Sequence, residues 1–290
     1  MRKPVALTAD DSQKILALKK GRWEMNLSCG KQVVRVESTT VRVGSHTLRR
    51  SELERARRDS VLYGVRNGRL QKLQLFRGRL YKIAPTQGFP ALEIDGIRMH
   101  RTQGMLPEAE AEVKAECLDL RPGQSMLDIC TGLGYSAQAA ARRGVAVVTL
   151  EKDEAVLELA SESPRSFEFF RFVSLGRIRP VICDAARFIK GLPPDSFDRI
   201  MHDPPTFSMA GELYSLGFYV ELRRIVRQEG LMLHYTGQPG SRYRRLDLGR
   251  SVSRRLREAG FRTRWIEKAR SILATPDGQS PALRGSDLDG

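Results

Sequence analysis

Apolar positions along the chain follow two different rhythms. From about residue 120 onward, short apolar runs bounded by turn residues read as buried strands: Met126 to Ile129, Val145 to Leu150, Pro180 to Cys183, Phe197 to His202 and Leu231 to Tyr235. Between them lie stretches of helical character, an alanine-rich one over Ala137 to Ala141, another from Gly217 to Gln228 and a basic one from Arg244 to Ala259. Phe261 to Glu267 and Ser271 to Thr275 read as a closing hairpin, which brings the strand count to seven. Strands alternating with helices predict an α/β domain over residues 106–276, entered by a helix from Pro107 to about Asp119 with proline in its first turn.

The first 105 residues have the period-two pattern of half-buried strands instead. Val34-Arg35-Val36 and Val41-Arg42-Val43 alternate, and Asn67-Gly68 and Arg77-Gly78 punctuate Leu70, Leu73, Leu75, Leu80 and Ile83 as a hairpin or meander. One helix is expected, from about Ser51 to Tyr63, carrying Arg55, Arg57 and Arg58. This region reads as a small β-rich module. Residues 277–290, rich in Pro, Gly, Ser and Asp, read as a disordered tail.

Chemistry concentrates at the ends of the later strands. The first ends in Asp128-Ile129-Cys130-Thr131-Gly132-Leu133-Gly134, an acid opening into a turn whose glycines let backbone N–H groups approach a ligand. The second ends at Glu151, 23 residues after Asp128, about one βαβ half-unit on and placed for a ribose diol. The third ends at Asp184, within reach of an exocyclic adenine amine, and the fourth runs into Asp203-Pro204-Pro205-Thr206-Phe207-Ser208. In an open α/β sheet these are the strand ends at which ligands bind.

On those residues the chain resembles the class I S-adenosylmethionine-dependent methyltransferases, over roughly residues 106–276. The resemblance implies a Rossmann-like seven-stranded fold and S-adenosylmethionine as cofactor. It assigns cofactor contacts to Asp128, Thr131, Gly132, Gly134, Glu151 and Asp184, and the methyl-transfer site to Asp203, Pro204, Pro205 and Phe207. His100, Thr102 and Gln103 stand where such enzymes close over the methionine end of the cofactor, and His202 and Tyr214 are secondary candidates at the reaction strand. Asp-Pro-Pro followed by Thr-Phe is a partial match to the motif of enzymes that methylate planar nitrogens. As a six-residue string it is similar to the reaction-site motif of bacterial large-subunit rRNA guanine methyltransferases, with Phe207 as a stacking residue. The whole chain looks most like uncharacterised archaeal methyltransferases that pair a small N-terminal module with a His-Asp-Pro-Pro strand.

Three alternatives stay open. Gly132-Leu-Gly134-Tyr-Ser-Ala137 also fits a dinucleotide fingerprint, although Asp128 would then face a pyrophosphate, whereas it suits a cationic sulfonium. Asp184-Ala-Ala-Arg-Phe188, Asp195-Ser-Phe-Asp198 and Ala210 to Tyr219 are similar in order and spacing to spermidine synthases, aminopropyltransferases of the same fold. That family carries a paired-acid loop, of which only Asp203 is present here. A methyltransferase fold kept as a non-catalytic RNA-binding module is the third.

Charge weighs among them. The chain of 290 residues carries a formal +15, unevenly spread: 22 Lys and Arg against 9 Asp and Glu in residues 1–105, 12 against 18 in 106–222, and 14 against 4 in 223–270. An acidic cofactor half between two basic regions fits a polyanionic substrate, structured RNA, better than a polyamine. Arg49, Arg50, Arg55, Arg57 and Arg58 would anchor it, and Arg242, Arg244 and Arg245 would steer it toward Asp203. Four cysteines (Cys29, Cys117, Cys130, Cys183) make no C-x-x-C pair and no metal-ligand spacing with the four histidines, and no run reaches the roughly 18 apolar residues of a membrane span. The expectation is a reduced, cytoplasmic, metal-free enzyme. Cys130 and Cys183 read as packing residues, and the lack of any cysteine after Cys183 argues against cysteine-nucleophile base methylation.

Overall fold

A computed structural model describes residues 3–58, 60–237 and 248–278. Their contacts gather into two compact units that do not follow chain order. One holds residues 1–111 with 132–138 and 153–176; the other holds 112–131, 139–152 and 177–290.

The second unit is built on a seven-stranded sheet. Its strands are β1 (Ser125–Ile129), β2 (Ala146–Glu151), β3 (Ile178–Ile182), β4 (Phe197–His202), β5 (Val226–Tyr235), β6 (Phe261–Ile266) and β7 (Ser271–Pro276). In space they run β3-β2-β1-β4-β5-β7-β6, with β1 to β5 mutually parallel and β7 antiparallel to both its neighbours. The chain therefore steps outward from β1 to β3 and returns to lay β4 beside β1, so the order reverses between these two strands. Such a switch point leaves a crevice beyond the carboxyl ends, because the flanking connections depart in opposite directions. This is the Rossmann-like methyltransferase fold.

Apolar residues of β1, β4 and β5, among them Leu127, Ile129, Ile200 and Met232, are buried against Phe218, Tyr219 and Leu222 of the helix Leu216–Ile225 and Val252 and Leu256 of the helix Leu248–Glu258. In the latter helix, Leu248, Val252 and Leu256 recur every fourth residue on the packed face, while Arg250, Arg254 and Arg257 occupy the rest of the surface. The helix expected to reach Gln228 stops at Ile225. Val226 already pairs with Phe197, and the register then jumps so that Arg199 faces Leu231, a bulge that absorbs residues 227–230. Residues 244–247 of the expected basic helix, and Arg242, Arg244 and Arg245, lie outside the described residues, as does nearly all of the expected tail.

The first unit contains three small sheets. A four-stranded antiparallel meander joins Gly21–Leu27, Gly30–Val36, Thr40–Val43 and His46–Arg49 in order. Its buried face carries Val34, Val36, Val41, Val43 and Leu48. The Tyr63–Arg66 and Arg69–Lys72 hairpin turns at Asn67 and Gly68, both at positive φ (49° and 72°), as a two-residue turn matched to strand twist requires. The helix expected over Ser51 to Tyr63 is shorter, Arg50–Ala56, because Val61, Leu62 and Tyr63 are buried and Tyr63 pairs as a strand. Two helices unforeseen in the sequence, Glu154–Glu162 and Phe167–Ser174, complete this unit. They are tied to it by Arg66–Glu162 (2.5 Å), Arg77–Glu158 (2.5 Å) and a hydrogen bond from the Tyr81 hydroxyl to Asp153. Burial, with that bond, pushes the Tyr81 hydroxyl up to about 12. Among the described residues no helix is long and apolar enough to cross a membrane.

Gly134 should be irreplaceable within this unit. Its φ is +79°, and a Cβ there would stand 2.5 Å from the ring of Phe169, which is fully buried and cannot yield. Gly134→Ala is expected to cost about 2–4 kcal/mol through strain and overpacking, visible as a lowered Tm in thermal unfolding; an unchanged melting curve would contradict this packing.

Candidate active site

The carboxyl ends of β1, β2, β3 and β4 bring the acids of the sheet unit to one edge. Ile129 pairs with His202 across β1 and β4, and the Asp203 N–H donates to the Ile129 carbonyl at 3.3 Å, fixing the turn that leaves β4. The Asp203 carboxylate meets a group the sequence did not point to. Lys114, near the end of the helix Pro107–Cys117, places its Nζ 2.6 Å from Oδ2 of Asp203 and 4.4 Å from the ring centroid of Tyr235, the last residue of β5. The lysine is 2% exposed. A buried ammonium is costly unless paired, and here a carboxylate and an aromatic face both compensate it.

Around the double proline the turn is braced from below. The Tyr214 hydroxyl donates to the Pro205 carbonyl at 2.8 Å, and burial holds that hydroxyl far above its usual range. Phe207 is 48% exposed, its ring steeply inclined to that of Tyr214 with centroids 5.5 Å apart. His202 is fully buried; its Nε2 is 3.0 Å from the Leu213 carbonyl, which makes Nε2 the protonated nitrogen. Burial lowers its pKa to about 4. The ring stacks obliquely 4.3 Å from His234, which accepts from the Tyr219 hydroxyl at 2.9 Å. His202 is therefore a neutral packing residue beneath the turn, and its neighbour Tyr214 acts on the backbone.

Asp128 is also an interior group. It is 1% exposed and its Oδ2 accepts from Thr149 Oγ1 at 2.7 Å; Thr149 in turn lies 2.6 Å from Thr131 Oγ1. Burial raises the Asp128 carboxyl to about 7, with Asp203 and Glu151 adding to the rise and Thr149 and Lys114 opposing it. Glu151 ends β2 half-buried. Asp184 follows β3 and caps the short helix Ala185–Phe188, accepting from the Arg187 N–H at 3.2 Å, while Lys152 approaches it at 3.1 Å and Glu212 at 3.6 Å. Burial would raise Asp184, but the Lys152 ammonium and the capping N–H groups outweigh it and hold the carboxyl below its usual range.

The glycine turn follows directly from Thr131. Cys130 adopts φ +74°, Gly132 +54° and Gly134 +79°, so the backbone is left-handed at alternate residues, with a cysteine at the first. The Cys130 and Thr131 N–H groups both donate to the Leu150 carbonyl, at 2.9 and 3.1 Å. Burial, with Glu151, Asp203 and Asp128 nearby, pushes the Cys130 thiol well above its usual range, which makes it a poor nucleophile. Cys130 and Cys183 are half-buried. Gly132 and Gly134 group with the first unit, as does His100, whose Nδ1 accepts from the Leu92 N–H at 3.2 Å and whose ring lies 5.2 Å from that of Tyr135. Thr102 accepts from Arg98 at 3.2 Å, and Gln103 is exposed. Among the described residues no group of three or more His, Cys, Asp or Glu is arranged to hold a metal ion.

The spermidine synthase of Thermotoga maritima superposes over 76% of this chain and 77% of its own, with a TM-score of 0.52 at 18% identity. MnmC2 from Aquifex aeolicus does so over 70% and 72%, with a TM-score of 0.50 at 18% identity. At such identity the likeness is one of fold. No family model matches the chain. The uncharacterized protein MJ1233 of Methanocaldococcus jannaschii is 40% identical over 220 residues, which cover 76% of this chain and 75% of that protein, and the chain belongs to its family.

The raised Asp128 carboxyl gives a pH signature. The unfolded chain releases this proton near the ordinary carboxyl value of 3.8 and the folded chain only near 7, so the folded state holds the extra proton between them and stability falls as pH rises through that window. Asp128→Asn keeps an acceptor for Thr149 but does not titrate. Its Tm relative to wild type should climb from about pH 4 to about pH 7 and then level off; a difference that stays flat across thermal scans would refute the assignment.

Proposed function

We propose that the chain is an S-adenosylmethionine-dependent methyltransferase that N-methylates a nucleobase in RNA. The observation that carries this choice over aminopropyl transfer is the Lys114–Asp203 pair. A polyamine acceptor is a cation and needs carboxylates that remain available to it. Asp203 is the one acid of the reaction turn, and a buried ammonium already compensates it at 2.6 Å. A neutral, planar amine meets no such conflict. The second carboxylate oxygen of Asp203 and a backbone carbonyl of the proline turn are suited to accept its N–H groups.

The residues at the strand ends fit the cofactor. Glu151 would hold the ribose diol and Asp184 the adenine amine. Gly132 and Gly134 let the backbone turn at positive φ directly after β1. When bound, S-adenosylmethionine supplies an electrophilic methyl group. Asp203, oriented by its ion pair with Lys114, stabilises the positive charge that develops on the attacking nitrogen. Phe207 would offer its exposed ring for the base to stack upon, and the Tyr214–Pro205 hydrogen bond keeps the turn rigid while it does so. An RNA target accords with the strong positive charge of residues 1–105 and 223–270.

Calorimetry should find binding of S-adenosylmethionine and S-adenosylhomocysteine in preference to NAD, with Glu151→Ala weakening it by about 1.5–3 kcal/mol. Tight NAD binding without either sulfur compound would reject the cofactor reading. Asp203→Asn, which keeps an acceptor for Lys114, should sharply reduce transfer while leaving cofactor affinity nearly intact. The substrate comes from mass spectrometry of RNA nucleosides in cells lacking the gene, where one methylated nucleoside should disappear; aminopropyl transfer from decarboxylated S-adenosylmethionine to putrescine by the purified chain would replace the methyltransferase reading.

A further inference from the structure

Most of the basic side chains expected to anchor RNA are engaged with their own module. Arg55 pairs with Glu52 at 2.9 Å and donates to the Leu70 carbonyl, Arg57 pairs with Glu54 at 3.1 Å, and Arg50 donates to the Leu16 carbonyl at 3.0 Å. Lys14 and Lys20 meet Asp10 and Glu37, at 2.6 and 3.6 Å. One group of cations breaks this rule. In the four-stranded meander Arg22 stands directly opposite Arg35, Arg35 directly opposite Arg42, and Arg42 opposite Thr47. Cross-strand partners share a face, so three arginines on three consecutive strands line up side by side. All three are exposed, on the face opposite the buried Val34, Val36, Val41 and Val43, and among the described residues none has an ion pair. Arg49, exposed and opposite Thr40, and Lys31, exposed and opposite Asn26, extend the same face.

Such a row works against the fold that carries it. Strands lie about 4.8 Å apart, so the backbone positions that carry these three cations span only about 10 Å, and like charges directly opposite destabilise a sheet. Nothing in the packing requires arginine at these positions, since their side chains leave the core. An anion of matching extent removes the repulsion, and a polynucleotide backbone, with phosphates in series, has that extent. The face offers little for reading bases: among residues 22, 24, 26, 31, 33, 35, 40, 42, 47 and 49 there is no aromatic side chain.

We propose that the open face of this meander, centred on Arg22, Arg35 and Arg42, is the surface on which the RNA substrate docks through its phosphates. The inference rests on the RNA reading above. Contact through phosphate alone makes the docking independent of sequence and steeply dependent on salt, because each phosphate neutralised releases counterions.

The test uses the full-length chain, since residues 1–105 share their compact unit with 132–138 and 153–176 and a truncation would cut through it. Binding of an unmodified tRNA transcript is titrated from about 50 to 200 mM salt for three proteins: wild type, the triple variant Arg22→Gln, Arg35→Gln, Arg42→Gln, and the triple variant with lysine at the same positions. The glutamine triple should bind at least about tenfold more weakly at 100 mM salt, with the log–log slope shallower by about 2. The lysine triple should keep most of the slope and serves as the charge-retaining control if the glutamine triple folds poorly. A third variant, Arg55→Gln with Arg57→Gln, removes cations that are already paired and should leave the slope near that of wild type. Cofactor affinity is measured in parallel and should be the same in all of them. An unchanged slope in a folded glutamine triple overturns the docking surface and leaves the methyltransferase reading standing, whereas loss of cofactor binding by wild type overturns the latter alone. Wild-type binding to vesicles containing anionic phospholipid, with none to RNA, overturns the proposal in favour of a membrane face.

Discussion

A single buried cation organises the reaction edge of the sheet. Lys114 belongs to a helix, Asp203 to the turn after β4 and Tyr235 to the end of β5, and the ammonium holds these three pieces of backbone in one geometry. Burying a lysine is worthwhile only where the pairing is close, and removing one partner of such a pair leaves an uncompensated charge that costs far more than the pair itself contributes. The pair therefore acts as a registration device. Asp203 has a set orientation before any ligand arrives, and the prolines after it limit what the following backbone can do. Below the turn a neutral layer of His202, Tyr214, Tyr219 and His234 supports it without adding charge, since burial keeps both imidazoles deprotonated.

The acids along this edge divide into two environments. Asp128 lies within the sheet, bonded to Thr149 and raised to about 7, while Asp184 sits among donors and is lowered. The same side-chain chemistry thus provides a group near its titration midpoint in the interior and a permanent anion at the rim. Position relative to the pleat decides between them. Asp128 is inside β1, with its neighbours in register on both sides, whereas Asp184 comes after β3 has ended, where a helix N-terminus begins.

Features encoded by adjacent residues were legible in the sequence. The Phe197–His202 strand, the Asn67-Gly68 turn and the acids that close β2 and β3 follow from short runs and turn chemistry, and the seven strands emerged in their order. What escaped notice was set by distant partners. Lys114 and Asp203 are 89 residues apart, and a lysine within Glu110-Ala-Glu-Val-Lys-Ala-Glu reads as a solvated helical charge until the turn of β4 packs over it. Likewise the ion pairs of Arg55 and Arg57 with glutamates three residues earlier are fixed by the short helix that carries them, which the sequence pattern extended to Tyr63. The early end of the helix after Ala56 shows tertiary pairing overriding a pattern that would carry it on to Tyr63. Helices 154–162 and 167–174 lacked any motif to draw attention to them, though Asp153 is an N-cap accepting from the Ala155 N–H at 3.1 Å and the apolar spacing of Phe169 and Phe172 is helical.

The interleaving of the two compact units has a consequence for how the polypeptide is made. Emerging from the ribosome in order, residues 1–111 cannot complete their unit until residue 176 has been synthesised, by which time β1 and β2 of the other unit are already exposed and waiting for β4. Neither unit can finish before the other has begun. Parallel strands separated by such long connections pair slowly and expose apolar edges meanwhile, so the nascent chain passes through a stage in which two incomplete cores coexist. An exchange of modules between relatives would have to carry the 132–138 and 153–176 segments along with residues 1–111.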